Sequence, residues 1–293
     1  MKYRVRHTTC YQYSSAVTLC YNLAHLVPRN TGTQNCFSRH IEVSPRPVYQ
    51  TERSDYFGNE TVFFSIQEPH KKLTIDVVSY LEVMPNLWSE WVANHPLTYK
   101  QLKTLLDTPM SEEIRLVKQY CLDSAYIRAT PEIKAYAESV FQEDMPVLQS
   151  VNALNHKIFT EFTFDPAATD VTTPPETTLV EKRGVCQDFA QFAIACLRSM
   201  GLAARYVSGY IETLPPPGQE KLVGSDASHA WFAVYLPELG WVEFDPTNDQ
   251  IAGEQHIVTG WGRDYTDITP LQGVVFDGGD THALNVSVDV ARI

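Results

Sequence analysis

Several things are missing from this 293-residue chain, and each absence narrows what it can be. No run of eighteen or more apolar residues occurs, so the sequence offers no membrane-spanning helix. Met1-Lys2-Tyr3-Arg4-Val5-Arg6-His7 leads into polar residues without an apolar signal core, which points to a cytoplasmic protein rather than a secreted one. Basic residues are scarce: 23 Lys and Arg against 35 Asp and Glu give a formal charge of −12. That balance argues against nucleic acid or an anionic membrane surface as partner. The six cysteines (Cys10, Cys20, Cys36, Cys121, Cys186 and Cys196) form no CxxC pair, and no histidine pair stands at metal-ligand spacing. A structural zinc site is therefore not expected, nor is any other metal or cofactor. An even cysteine count is weak evidence for disulfides in a chain of this length without a signal peptide.

What is present is ordinary globular material, 44% hydrophobic and long enough for two units. Residues 1 to about 85 read as strands: Tyr3–Tyr13, Val17–Leu26, Phe37–Ser44, Val48–Ser54, Thr61–Ile66 and Leu73–Val83. In Leu73-Thr74-Ile75-Asp76-Val77 the apolar residues fall two apart, and turn clusters such as Phe57-Gly58-Asn59-Glu60 separate the runs. An antiparallel sandwich or barrel follows. His7, His25, His40 and His70 are scattered through it and read as surface or packing residues.

Residues 86–108 read as a connection, and helices follow. Thr108-Pro109 and Thr130-Pro131 each set a capping hydroxyl before a proline at the first helical position. A third helix follows Pro146. Phe162 to Pro175 is loop-like, Ala203–Ile211 is a strand, and Thr213 to Ser228 is a long connection holding Pro215-Pro216-Pro217-Gly218.

The centre of the chain is Arg183-Gly184-Val185-Cys186-Gln187-Asp188-Phe189. Phe189, Phe192, Ala193, Cys196, Leu197 and Met200 recur at helical spacing, and Gly201 stands where a left-handed residue would end the helix. Cys186 thus falls in the first turn, where free N–H groups and the helix dipole favour a thiolate. The competing reading is a small buried hydrophobe.

Ser228-His229-Ala230-Trp231 through Leu236 is a second strand signal, and Trp241-Val242-Glu243-Phe244 returns after Pro237-Glu238-Leu239-Gly240, ending at Asp245-Pro246. Pairing Leu236 with Trp241 sets His229 opposite Asn248 and leaves Asp245 three residues, about 10 Å, back along the strand. A bulge or an asymmetric loop would close that gap. Thiol chemistry needs such a pair, a base beside the sulfur and a carboxylate orienting the base.

Gly184-Val185-Cys186-Gln187-Asp188-Phe189-Ala190, His229-Ala230-Trp231 and Gly240-Trp241-Val242-Glu243-Phe244-Asp245-Pro246-Thr247 resemble the three motifs of the bacterial transglutaminase-like superfamily. Asp55-Tyr56-Phe57-Gly58-Asn59-Glu60 resembles the β-rich region that precedes this core. The tail, His256-Ile257-Val258 with Gly262-Arg263-Asp264-Tyr265, also looks like that subgroup. The resemblance implies an α+β fold: a papain-like core at 101–293, including the C-terminal strands, after an antiparallel β domain at 1–100. It implies a catalytic Cys186, His229 and Asp245, acting on a peptide or protein amide by hydrolysis or acyl transfer. The Cys186 N–H is the candidate oxyanion donor. Trp231 is read as core packing, Gln187 as helix surface and Asp188 as a first-turn dipole partner. The alternative is a binding or scaffold protein on an inherited core.

Overall fold

The computed structural model describes residues 1–108, 111–213, 226 and 228–293. Its first sheet is organised on β1 (Lys2–Ala24), 23 residues long. One edge of β1 pairs with β5 (His70–Val83) and then β4 (Glu60–Ile66), beyond which lie β2 (Gln34–Ser44) and β3 (Tyr49–Ser54). The two strands expected at Tyr3–Tyr13 and Val17–Leu26 are one strand, irregular between Gln12 and Val17 where the pairing shifts. Alternation sets the inner face: Tyr3 and Val5 of β1 and Leu73, Ile75, Val77 and Leu81 of β5 are buried.

The segment taken as a connection carries two helices, α1 (Trp88–Asn94) and α2 (Tyr99–Asp107). Thr98 caps α2, and Gln101 closes a capping box with it. Thr108 is the C-terminal cap of α2 rather than the start of the next helix; Pro109 lies outside the described residues. Ser111 accepts from Ile114 N and starts α3 (Glu112–Val117) instead. The other expected starts hold: Thr130 caps α4 (Pro131–Glu138), and α5 (Val147–Glu161) follows Pro146. In the expected loop a short strand, β6 (Thr163–Phe164), and α6 (Pro175–Glu181) appear. Beyond α6, β7 (Arg183–Gly184) pairs in parallel with β6 and delivers the chain to α7 (Cys186–Ser199).

A second antiparallel sheet runs β11 (Gln250–Ile251), β10 (Gly240–Asp245), β9 (Ser228–Leu236), β8 (Ala204–Ile211) and β12 (His256–Gly262). Tyr206, Phe232, Val234, Val242 and Phe244 pack with Phe189, Phe192, Ala193 and Leu197 of α7 in the main core. The expected Pro215–Gly218 connection lies outside the described residues. The last two strands, β13 (Leu271–Asp277) and β14 (His282–Arg292), pair with β1. The sequence groups them with the core; their strand partner is β1 of the first sheet, and β14 also bonds Asp226 and Glu212.

Candidate functional site

The β9–β10 register differs from the expected one by a residue. Leu236 pairs with Gly240, not Trp241, because Glu238 takes a left-handed φ of 70° and Gly240, at φ 76°, opens the returning strand. The consequence is large, since a one-residue slip moves a side chain to the other face. Continued along the hairpin, this register sets His229 opposite Thr247, so Asp245 stands two residues back on the same face. In the expected register it would have pointed away. No bulge is needed.

The start of α7 is built by Asp188. Val185 is the extended N-cap and has no capping side chain, so Asp188 Oδ2 reaches back to accept from Val185 N (2.8 Å) and from Thr169 Oγ1 (2.6 Å). This fixes the turn that presents Cys186. It also explains Gly184, where an added Cβ would stand 2.6 Å from Asp188 Oδ2. Burial raises the Asp188 carboxyl pKa, while its Thr169 and Val185 hydrogen bonds oppose the rise. Gln187 is not helix surface: it is 9% exposed and donates Nε2 to Val171 O at 3.0 Å. Trp231 packs as expected, fully buried, with its indole N–H on Glu243 Oε2 at 2.8 Å. The single indole N–H of Trp231 is thus committed and is not free as an oxyanion donor.

His229 joins the other two groups. Its Nε2 lies 2.7 Å from Asp245 Oδ2, and the Cys186 side chain acts electrostatically on the same ring. Burial alone would lower the His229 pKa, but Asp245 and Cys186 outweigh it and lift the imidazole to about 10. The Asp245 carboxylate is completely buried, which by itself raises a carboxyl pKa. Its bonds to His229 and His256 more than reverse this and hold it well below the usual range.

Two neighbours of Asp245 were not found from the sequence. Asn248 donates Nδ2 to Asp245 Oδ2 at 2.7 Å, and the main-chain N–H groups of Thr247 and Asn248 serve Oδ1 at 3.0 and 3.3 Å. His256, at the head of β12, brings Nε2 to 3.2 Å from Oδ2. Its Nδ1 accepts from Gly253 N at 3.2 Å, so the neutral ring carries its proton on Nε2 and donates to Asp245. The only sequence signal for His256 was its place in the tail motif. Its approach to Asp245 depends on β12 pairing with β8, which local spacing cannot reveal. The Asp55-to-Glu60 motif reinforces that placement: Asn59 bonds both the N–H and C=O of Trp261 in β12.

His229, Asp245 and His256 offer three potential ligand atoms within 4.8 Å of one another, a grouping that could hold a cation and that sequence spacing had not suggested. The hydrogen bonding disfavours it. A proton on His256 Nε2 blocks the lone pair a metal would need, and Oδ2 already receives several donors.

The site thus sets a helix-start thiol, an imidazole and a buried carboxylate on an α+β core. The chain belongs to the transglutaminase-like superfamily. Residues 134–246 match the transglutaminase-like superfamily model, and residues 3–82 match that of the bacterial transglutaminase-like N-terminal region. An uncharacterized protein of Mycobacterium tuberculosis is 37% identical over 99% of this chain and 92% of its own length. One from Mycobacterium leprae is 31% identical over 99% and 98%. A protein-glutamine gamma-glutamyltransferase of Pseudomonas aeruginosa is 32% identical over 134 residues, 44% of this chain and 20% of that protein. The crystal structure of a candidate cysteine protease from Cytophaga hutchinsonii superposes with a TM-score of 0.75 at 19% identity, covering 99% of this chain and 90% of that one, a likeness of fold.

Proposed function

We propose that the protein is a thiol enzyme that cleaves or transfers amides through an acyl-enzyme, with Cys186, His229 and Asp245 as its catalytic residues. The observation that carries this reading is the shared imidazole: His229 Nε2 bonds a fully buried Asp245, and the Cys186 side chain acts on the same ring to raise its pKa. His229 takes the thiol proton, and the sulfur attacks the amide carbonyl carbon. The developing oxyanion is stabilised at the start of α7, with the Cys186 N–H as the first donor. Collapse expels the amine, which leaves with the proton from His229, and a thioester remains on Cys186. Water regenerates acid and free thiol; an amine nucleophile forms a new amide instead. Asp245, bonded to Nε2, orients the ring and stabilises the imidazolium that carries the proton taken from sulfur. The substrate class is a peptide or protein amide, as the name of the Pseudomonas aeruginosa relative suggests. Six cysteines, all free, suit a reducing cytoplasm.

The test is a panel of peptide and glutamine-amide substrates, with and without a primary amine, read by intact-protein mass. An acyl adduct on Cys186, absent from Cys186→Ala, is the expected result. Amine incorporation separates transfer from hydrolysis. Turnover by Cys186→Ala at the wild-type rate would overturn the proposal.

A further inference from the structure

A cavity of about 560 Å³ lies on the face of the second sheet opposite α7, closed by the Thr31–Gln34 segment and by α1. Neither Cys186 nor His229 lines it. Its walls are aromatic (Trp88, Trp91, Tyr120, Trp241 and Trp261), and Arg205 and Glu243 face it from β8 and β10. Arg205 is its unusual member. The residue is 5% exposed, with its guanidinium carbon 3.6 Å from the ring centre of Trp261 and 4.4 Å from that of Trp241. Its Nε is buried without a hydrogen-bond partner among the described residues. Its ion-pair partner is Glu243, with Nη2 3.6 Å from Oε1. Glu243 spends its other oxygen on the Trp231 indole. Glu243 thus balances the guanidinium charge, while the buried Nε–H keeps a hydrogen bond unmade that such groups nearly always satisfy.

We propose that this cavity is a second ligand site, taking a small organic carboxylate with a flat ring, its carboxylate on Arg205 and its ring among Trp88, Trp91 and Trp241. Arg205 has five N–H donors in a planar fork, enough to serve Glu243 and a ligand carboxylate together. The aromatic walls supply stacking and apolar burial, and the volume is that of a small-molecule site. The site stands apart from the thiol, so the inference does not depend on the acyl-enzyme reading. His256 alone belongs to both places, lining the cavity and bonding Asp245.

The experiment is calorimetric titration of the full chain with 3-phenylpropionate, 3-phenylpropionamide and maltose. The acid should bind one site and the amide about tenfold more weakly, since a charge-assisted bond to guanidinium is lost. Arg205→Gln should weaken the acid by a similar factor. Because that buried change can itself unfold the sheet, Trp88→Ala at the half-buried rim is the companion variant, with unfolding temperature monitored; it too should weaken binding about tenfold. Alkylating Cys186 with iodoacetamide should leave affinity unchanged. No binding of the acid, equal affinity for acid and amide, a preference for maltose, unchanged affinity in Trp88→Ala, or loss of binding on alkylation would each overturn the inference.

Discussion

Asp245→Asn is the most informative single substitution, because the structure predicts a larger effect than the sequence does. Related thiol enzymes can orient the imidazole with an amide, so sequence alone suggests a moderate loss. Here every group on the carboxylate is a donor: Thr247 N and Asn248 N on Oδ1, and His229, Asn248 Nδ2 and His256 on Oδ2. An asparagine has one oxygen and one NH2. With its NH2 on the Oδ1 side it opposes two main-chain N–H groups. Turned the other way, it opposes Asn248 and His256 and makes His229 Nε2 an acceptor, which moves the ring proton to the side facing Cys186. That is the wrong tautomer for a base. At least two buried donors lose their acceptor, at about 1–3 kcal/mol each, so the variant should lose about 2–6 kcal/mol of stability. Total stabilities of about 5–15 kcal/mol leave most of that range compatible with folding. Asp245 is held low when folded, so its contribution is present above the ordinary aspartate value of about 3.9 and is lost as pH falls below it. The gap between wild type and variant should therefore be widest near neutrality and narrow in acid. Urea unfolding from pH 3 to 8, with iodoacetamide alkylation of Cys186 followed alongside, measures both effects. A variant within about 0.5 kcal/mol of wild type at pH 7, alkylated at the same rate, would refute the donor argument.

The remaining predictions concern other parts of the same site. The His229 imidazole, raised to about 10, should titrate by NMR well above its ordinary 6.5; its stabilising contribution is complete below 6.5 and lost as pH rises through about 10. A midpoint at or below 6.5 would contradict the pairing. Cys186→Ala should abolish activity with little change in unfolding temperature, whereas Cys196→Ala, in the α7 core where burial raises the thiol pKa, should keep activity and cost about 1 kcal/mol. Inactivity of a folded Cys196→Ala would mean the wrong nucleophile has been chosen. Gly184→Ala must push a methyl against the Asp188 carboxylate and should lose about 1–3 kcal/mol, read by urea unfolding. Dialysis against EDTA should leave Cys186 alkylation and activity unchanged; loss restored by zinc would instead favour a cation among His229, Asp245 and His256.

Elements that carry their own period or their own cap are legible in the amino-acid order alone. Leu73 to Val83 alternates and is a strand; Phe189 to Met200 repeats at helical spacing and stops at Gly201, whose φ is 79°. That order also determined which three side chains to watch, because the motifs around Cys186, His229 and Asp245 are local. Even so, Thr98 and Gln101 were a legible capping box inside a segment read as connection, and Thr108 proved to end a helix where the sequence had it beginning one. How distant strands meet depends on the folded chain as a whole. The one-residue register of the β9–β10 hairpin, set by left-handed Glu238 in its loop and Gly240 at the head of β10, places Asp245 on the His229 side. Pairing of β12 with β8 brings His256 to the carboxylate from a segment outside that hairpin, and β13 and β14 close on β1 across more than 200 residues of chain. Local propensity cannot encode those pairings, because sheet register is settled by which faces can be buried together once the whole chain has folded.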